Sequence, residues 1–169
     1  MKIAAALLLA MSFAVTAQQL PSARRAPGFS MLDVIKLDQH DLQDYRGKVV
    51  LIDIMRTNCP HCQDLTKALE QVKAKYGDKI QVLSVVNPPD NQTTVRQYIA
   101  THKVTSPVLF DCGQMAASYL QIGPKNPSAS VPHLFVIDKA GMIRKDISES
   151  SGGGMTLQNI VASVEPLLK

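Results

Sequence analysis

Hydrophobic residues along this chain follow two rhythms. Residues 49–55 (VVLIDIM) and 80–86 (IQVLSVV) are aliphatic on both faces, the pattern of strands buried in the middle of a sheet. Between them Leu65, Ala68, Leu69, Val72 and Tyr76 recur at helical spacing, and Gly77 stops the run. Val95, Tyr98, Ile99 and His102 mark a second helix on which His102 falls in the apolar stripe. Residues 107–110 read as a short strand, 115–120 as a short helix and 123–130 as a Pro- and Ser-rich loop. Residues 134–138 and 142–147 make a hairpin across Lys139-Ala140-Gly141. After the break at Gly152-Gly153-Gly154, Leu157, Ile160, Val161, Val164 and Leu168 form the apolar face of a last helix. Nearer the start, residues 29–40 read as a short strand or hairpin and 41–48 as a turn or short helix ending at Gly47. Strands alternating with helices and closing in a hairpin plus helix define one α/β domain with a mixed sheet.

Composition agrees and excludes several classes. A chain of 169 residues is room for one domain. It is 46% hydrophobic and 19% charged, which rules out disorder and low complexity. Its 18 Lys and Arg against 14 Asp and Glu leave a net charge of +4, too mild to call for nucleic acid. Three cysteines cannot make a disulfide-dense scaffold.

The first segment sets the compartment. Lys2 precedes an apolar run, and Val15-Thr16-Ala17 supplies small residues, so residues 1–17 read as a secretory signal cut after Ala17. The run is short for a membrane span, which needs about 20 apolar residues. No cysteine follows it to carry a lipid. Loss of Lys2 lowers the charge to +3. Residues 18–28 then read as a leader loop and 29–169 as the folded domain, working outside the cytoplasm where disulfides persist and with no stable membrane insertion after cleavage.

Cys59-Pro60-His61-Cys62 follows a buried strand and opens a helix. A cysteine at a helix N-terminus faces unpaired N–H groups and the positive end of the dipole, both of which favour thiolate. Cys59 is expected to be the nucleophile and Cys62, one turn further in, the resolving thiol. Pro60 suits a first helical turn because it has no N–H to lose. His61 can tune the Cys59 sulfur, stabilising the reduced form and making the disulfide more oxidising. A purely structural bond between these cysteines would close a loop too small to constrain the unfolded chain. Asp53 stands inside the apolar run, six residues before Cys59. A lone buried carboxylate has a raised pKa and is read as the base that deprotonates Cys62. Cys112 follows a short apolar strand and reads as a buried inert thiol, or else as an accessory thiol exchanging with the pair.

Together, Val50-Leu51-Ile52-Asp53 and Cys59-x-x-Cys62 resemble the active-site strand of the thioredoxin-like superfamily. Residues 130–138 (SVPHLFVID) resemble its cis-proline strand. Arg46-Gly47-Lys48-Val49-Val50-Leu51 and the closing hairpin resemble the extracytoplasmic TlpA/ResA-like redoxins, an AhpC/TSA-type branch of the fold. The resemblance implies a three-layer α/β/α sandwich with a strand-helix insertion, here at about 87–111. It implies that Pro132 is cis beside the cysteines and that the Val131 backbone pairs with a bound substrate. Three positions depart from the pattern: Asn58 replaces the usual tryptophan, Lys67 the helix-kinking proline and Leu65 the acidic residue of the TlpA/ResA branch. The Pro-His dipeptide, with Val131 before the proline, resembles DsbA-type disulfide oxidases instead.

The expected activity is therefore exported thiol-disulfide exchange, as reductase or thiol-maintenance enzyme ahead of DsbA-like oxidase. A copper- or zinc-binding thioredoxin-fold protein is the alternative of another class. A peroxidatic cysteine would need Thr or Ser at Arg56 and Pro at Ile52, and a c-type haem site would need His at Gln63. The expectation is no diffusible cofactor, cysteine-containing protein substrates and an upstream redox partner. Thr57, Asn58 and Val131 are expected to touch the substrate.

Overall fold

The computed structural model describes residues 23–148 and 154–169. The signal at 1–17, residues 18–22 of the leader and two glycines of the 152–154 break lie outside the described residues. The elements are β1 (Arg24–Arg25), β2 (Ser30–Leu32), β3 (Gln39–Asp41), β4 (Val49–Ile54), α1 (Pro60–Tyr76), β5 (Ile80–Val86), α2 (Gln92–His102), β6 (Val108–Phe110), α3 (Gln114–Tyr119), β7 (His133–Ile137), β8 (Met142–Ser148) and α4 (Leu157–Val164).

Six strands form one mixed sheet in the order β1-β8-β7-β4-β5-β6. β4 runs parallel to β5 and antiparallel to β7. Strand alternation sorts the core into two layers. Val49, Leu51, Ile80, Val82, Leu134 and Val136 pack against Leu65, Leu69, Ile160 and Val164 of α1 and α4. Val50, Ile52, Ile54, Phe135 and Ile137 face the other way, against Met115, Ala116 and Tyr119 of α3. α2 joins the α1 side, where Val95 and Tyr98 pack with Met55 and Cys62. The result is the expected three-layer α/β/α sandwich. The insertion between β5 and α3 supplies α2 and β6, the latter an edge strand parallel to β5.

Two local readings change. Arg24–Arg25, within the expected leader loop, form a strand that pairs with β8. A two-residue polar strand carries no periodicity. Its hold is on the sheet edge and on Tyr119, whose backbone carbonyl accepts from the Arg24 guanidinium. The last helix turns 3₁₀ at Glu165–Leu167, because Pro166 has no N–H for an α-helical bond. Residues 29–41 form the separate β2–β3 hairpin.

Candidate active site

β4 is buried at all six positions and delivers the chain straight into α1. Alternation puts Asp53 on the α1 side, with Ser84 and Leu134 beside it on the neighbouring strands. Its side chain is 0% exposed. Neither carboxylate oxygen has a hydrogen-bond partner. Burial alone pushes its pKa up to about 8, because an ionised carboxylate there has lost its water.

Cys59 is the N-cap of α1, with extended backbone (φ −96°, ψ 116°). Its sulfur accepts the Cys62 backbone N–H at 3.2 Å, doing what a Ser or Asp oxygen does at ordinary helix starts. Pro60 occupies the first turn. Cys59 is half-buried and Cys62 is fully buried. Burial pushes the Cys62 thiol well up; the Cys59 sulfur and the Asp53 charge add to the rise, and the Arg56 backbone opposes it. The Val131–Pro132 bond is cis, and the Val131 carbonyl lies 4.0 Å from Cys59 Sγ. Pro132 is buried. His61 is exposed and shares a groove of about 360 Å³ with Asp64, Pro132 and the start of α4.

The approach to Cys59 is held from α2. Asp90 accepts Thr57 N–H at 3.1 Å and also bonds the Thr57 hydroxyl. Its Oδ1 accepts from the Thr94 hydroxyl at 3.1 Å. Gln63 donates to the Thr57 carbonyl at 3.2 Å. Thr57 is thus a fixed strut, while Asn58 is exposed beside Cys59. Behind the pair, Thr66 and Tyr98 share a buried hydrogen bond of 2.7 Å. Burial raises the Tyr98 pKa, with smaller contributions from Asp53, Cys62 and Cys59, so all four groups lie in one electrostatic neighbourhood. Asp90, Thr66 and Tyr98 escaped the sequence reading. Asp90 reads as a turn residue after Pro88-Pro89, and Tyr98 as one more position of an apolar stripe.

Cys112 is exposed, not the buried inert thiol expected at the end of a short apolar strand. It follows β6 where that strand leaves the sheet and lines an open cleft of about 820 Å³ with Phe29, Leu32, Phe110 and Met115. Neither Cys59 nor Cys62 lines that cleft. His102 is half-buried and packs on Tyr98 at 4.6 Å. His133 stacks on Phe135 at 4.9 Å and pairs with Asp146. Among the described residues no group of three or more His, Cys, Asp or Glu side chains is placed to hold a metal ion.

A dithiol at a helix start, with the second sulfur buried in the electrostatic neighbourhood of an unpaired carboxyl, is suited to disulfide exchange on a thioredoxin-like sheet. That makes the protein a thiol-disulfide oxidoreductase of thioredoxin-like fold. More narrowly, it belongs to the AhpC/TSA family, which matches residues 23–146. The thioredoxin-like protein YneN of Bacillus subtilis (strain 168) is 28% identical over 127 residues, 74% of this chain and 70% of that protein. The thiol-disulfide oxidoreductase ResA of Geobacillus kaustophilus (strain HTA426) is 26% identical over 142 residues, 84% of this chain and 75% of its own. Among solved structures, a thioredoxin-family thiol:disulfide interchange protein from Chlorobium tepidum TLS shares the fold with a TM-score of 0.75. Its identity is 19%, and the match covers 88% of this chain and 99% of that one.

Proposed function

We propose that this protein works outside the cytoplasm as a reductase that keeps the cysteines of other proteins reduced. Cys59, as thiolate, attacks one sulfur of a substrate disulfide. A mixed disulfide forms, and the other substrate sulfur leaves and takes up a proton. Cys62 gives its proton to Asp53, and its thiolate attacks Cys59 Sγ. The Cys59–Cys62 disulfide forms, and the second substrate sulfur leaves and is protonated. The substrate gains two electrons and the pair loses two. A thiol donor of the same compartment returns them, with Asp53 handing the proton back. No diffusible cofactor is needed, because the pair itself carries the electrons.

The observation that carries this reading is the unpaired Asp53 carboxyl, pushed up to about 8, in the neighbourhood of a fully buried Cys62. The resolving step of a reductase must draw a proton from a thiol that burial holds protonated. A carboxyl whose proton affinity burial has raised toward that of a thiol is the group for that work. Cys59 against the Val131 carbonyl marks the side where the substrate backbone would lie; His61 and Pro132 line one groove there and Asn58 another. Residues 1–17 would carry the chain across the membrane before their removal.

The test is the reduction potential of the Cys59–Cys62 couple, measured against glutathione. A value near about −270 mV is expected of a reductase. One near about −120 mV would replace it with an oxidase of the kind that the Pro60-His61 dipeptide resembles.

A further inference from the structure

Three grooves are lined by residues next to Cys59 in the chain or by the cis-proline loop beside it, and they differ in charge. The one between α1 and α2, about 340 Å³, is lined by Asn58, Gln63, Gln97 and Thr101 and has neither an acid nor a Lys or Arg. The one toward α4 holds Asp64, whose carboxylate is already paired with Lys67 at 2.9 Å. The third, about 290 Å³, runs between α3 and residues 127–131. Ala116, Ala117, Leu120 and Ile122 form one wall and residues 127–131 the other, ending at Val131, whose carbonyl faces Cys59 Sγ.

Arg56 is the single charged residue lining this third groove. It is half-buried, three residues before Cys59, and its backbone carbonyl accepts the Cys59 N–H at 3.3 Å. Among the described residues no carboxylate pairs with its guanidinium. A guanidinium is a fork of five N–H donors shaped for a carboxylate. Here it lines the groove whose second wall ends at Val131, beside the reactive sulfur. Ile122, 42% exposed, adds apolar surface to the same groove.

We propose that this groove seats the stretch of a substrate protein next to its reactive cysteine, and that Arg56 selects an acidic side chain on that stretch. The inference rests on the disulfide-exchange reading above and adds the substrate class. The net charge of +3 left once Lys2 is removed works in the same direction, since it draws acidic partners toward the molecule. The small side chains of Ala116 and Ala117 leave room for a peptide beside Arg56.

The test uses reduced protein and synthetic disulfide peptides identical except for Glu, Gln or Lys two residues from the attacked cysteine. The second-order rate of protein oxidation is compared across the three. The expected order is Glu, then Gln, then Lys, with roughly fivefold to tenfold between the extremes at low salt and less at high salt. In Arg56→Gln the ratio falls to about one, and in Arg56→Glu the order reverses. Equal rates in the unaltered protein, or an order that survives Arg56→Glu, would overturn the selection by Arg56 while leaving exchange intact. Failure to oxidise the protein with any peptide would instead bring down the exchange reading itself.

Discussion

Two strand-to-helix junctions in this molecule carry the same parts and use them in opposite ways. At the end of β4 come Asp53 and, beyond a short turn, Cys59 and α1. At the end of β6 come Asp111, Cys112 and α3. Both strands belong to the parallel part of the sheet, so both junctions open at the same edge. At the second junction the carboxylate does the capping. Asp111 accepts Met115 N–H at 3.2 Å and Ala116 N–H at 2.9 Å, and Cys112 is left exposed with no helix N–H on its sulfur. At the first junction the cysteine does the capping, and Asp53 has nothing to bond. One arrangement stabilises a helix. The other leaves a sulfur bonded to a backbone donor and a carboxyl with proton affinity near neutrality, which are the two needs of disulfide exchange.

The largest expected effects separate the three thiols. Cys59→Ser should lower insulin reduction by at least about a thousandfold, since Cys59 is the thiol that begins the attack in the proposed cycle. Cys62→Ser should accumulate a mixed disulfide visible by mass spectrometry, because the attack proceeds and the resolution does not. Cys112→Ser should leave the rate of insulin reduction within about twofold, as expected for a surface change away from the reacting sulfurs. A large loss in Cys112→Ser would break the contrast between the junctions and make the second one part of the catalytic path.

The two carboxylates should respond with opposite signs. Asp53 has a raised pKa in the folded protein, so the folded form keeps a proton that the unfolded chain has lost above about pH 4. Its contribution to stability therefore falls as pH rises from about 4 to about 8 and is constant above that. Asp53→Asn should remove this slope, a gain of about 5 kcal/mol at pH 8 relative to pH 4 in urea unfolding. Asp53→Asn should also slow resolution of the mixed disulfide, so the stabler protein is the poorer enzyme. Asp111→Asn should cost about 1–3 kcal/mol, because one of two backbone donors loses its acceptor inside the core. Parallel unfolding curves for Asp53→Asn and the unaltered protein from pH 5 to pH 8 would show that Asp53 does not carry the burial cost.

The first junction is legible in the sequence and the second is not, for a physical reason. The run from Val49 to Ile54 is continuous, and an acid inside it signals its own cost, so β4, Asp53 and the Cys59–Cys62 helix start can be read from neighbours in sequence. Cys112 comes just after the apolar run Val108-Leu109-Phe110, which suggests burial. Its exposure depends on where β6 leaves the sheet and on the β2–β3 hairpin that lines the same cleft. Likewise Thr57 and Asp90 are 33 residues apart, and Thr66 and Tyr98 are 32. Such pairs are made by α2 packing beside α1, and no local pattern encodes them. β1 fails for a related reason: two arginines become a strand only because the edge of β8 is there to pair with them.

The smallest effect concerns what else surrounds the orphan carboxyl. The second junction has no counterpart of the Thr66–Tyr98 hydrogen bond, which lies in the neighbourhood of Asp53 and Cys62. Tyr98→Phe keeps the ring in place against Val95 and Cys62 and removes only the hydroxyl. Thr66 then loses its buried partner, at a cost of about 1 kcal/mol in urea unfolding. The same change takes a dipole from the surroundings of Asp53, so its charged form is less well solvated. The midpoint of the pH profile for mixed-disulfide resolution should therefore move upward. An upward shift in Tyr98→Phe assigns part of the tuning of Asp53 to α2, which reaches the carboxyl only through the fold. A stability loss with the profile unmoved would leave burial by β4 and α1 as the sole cause of the raised pKa. The difference between the two junctions would then reduce to which side chain caps the helix.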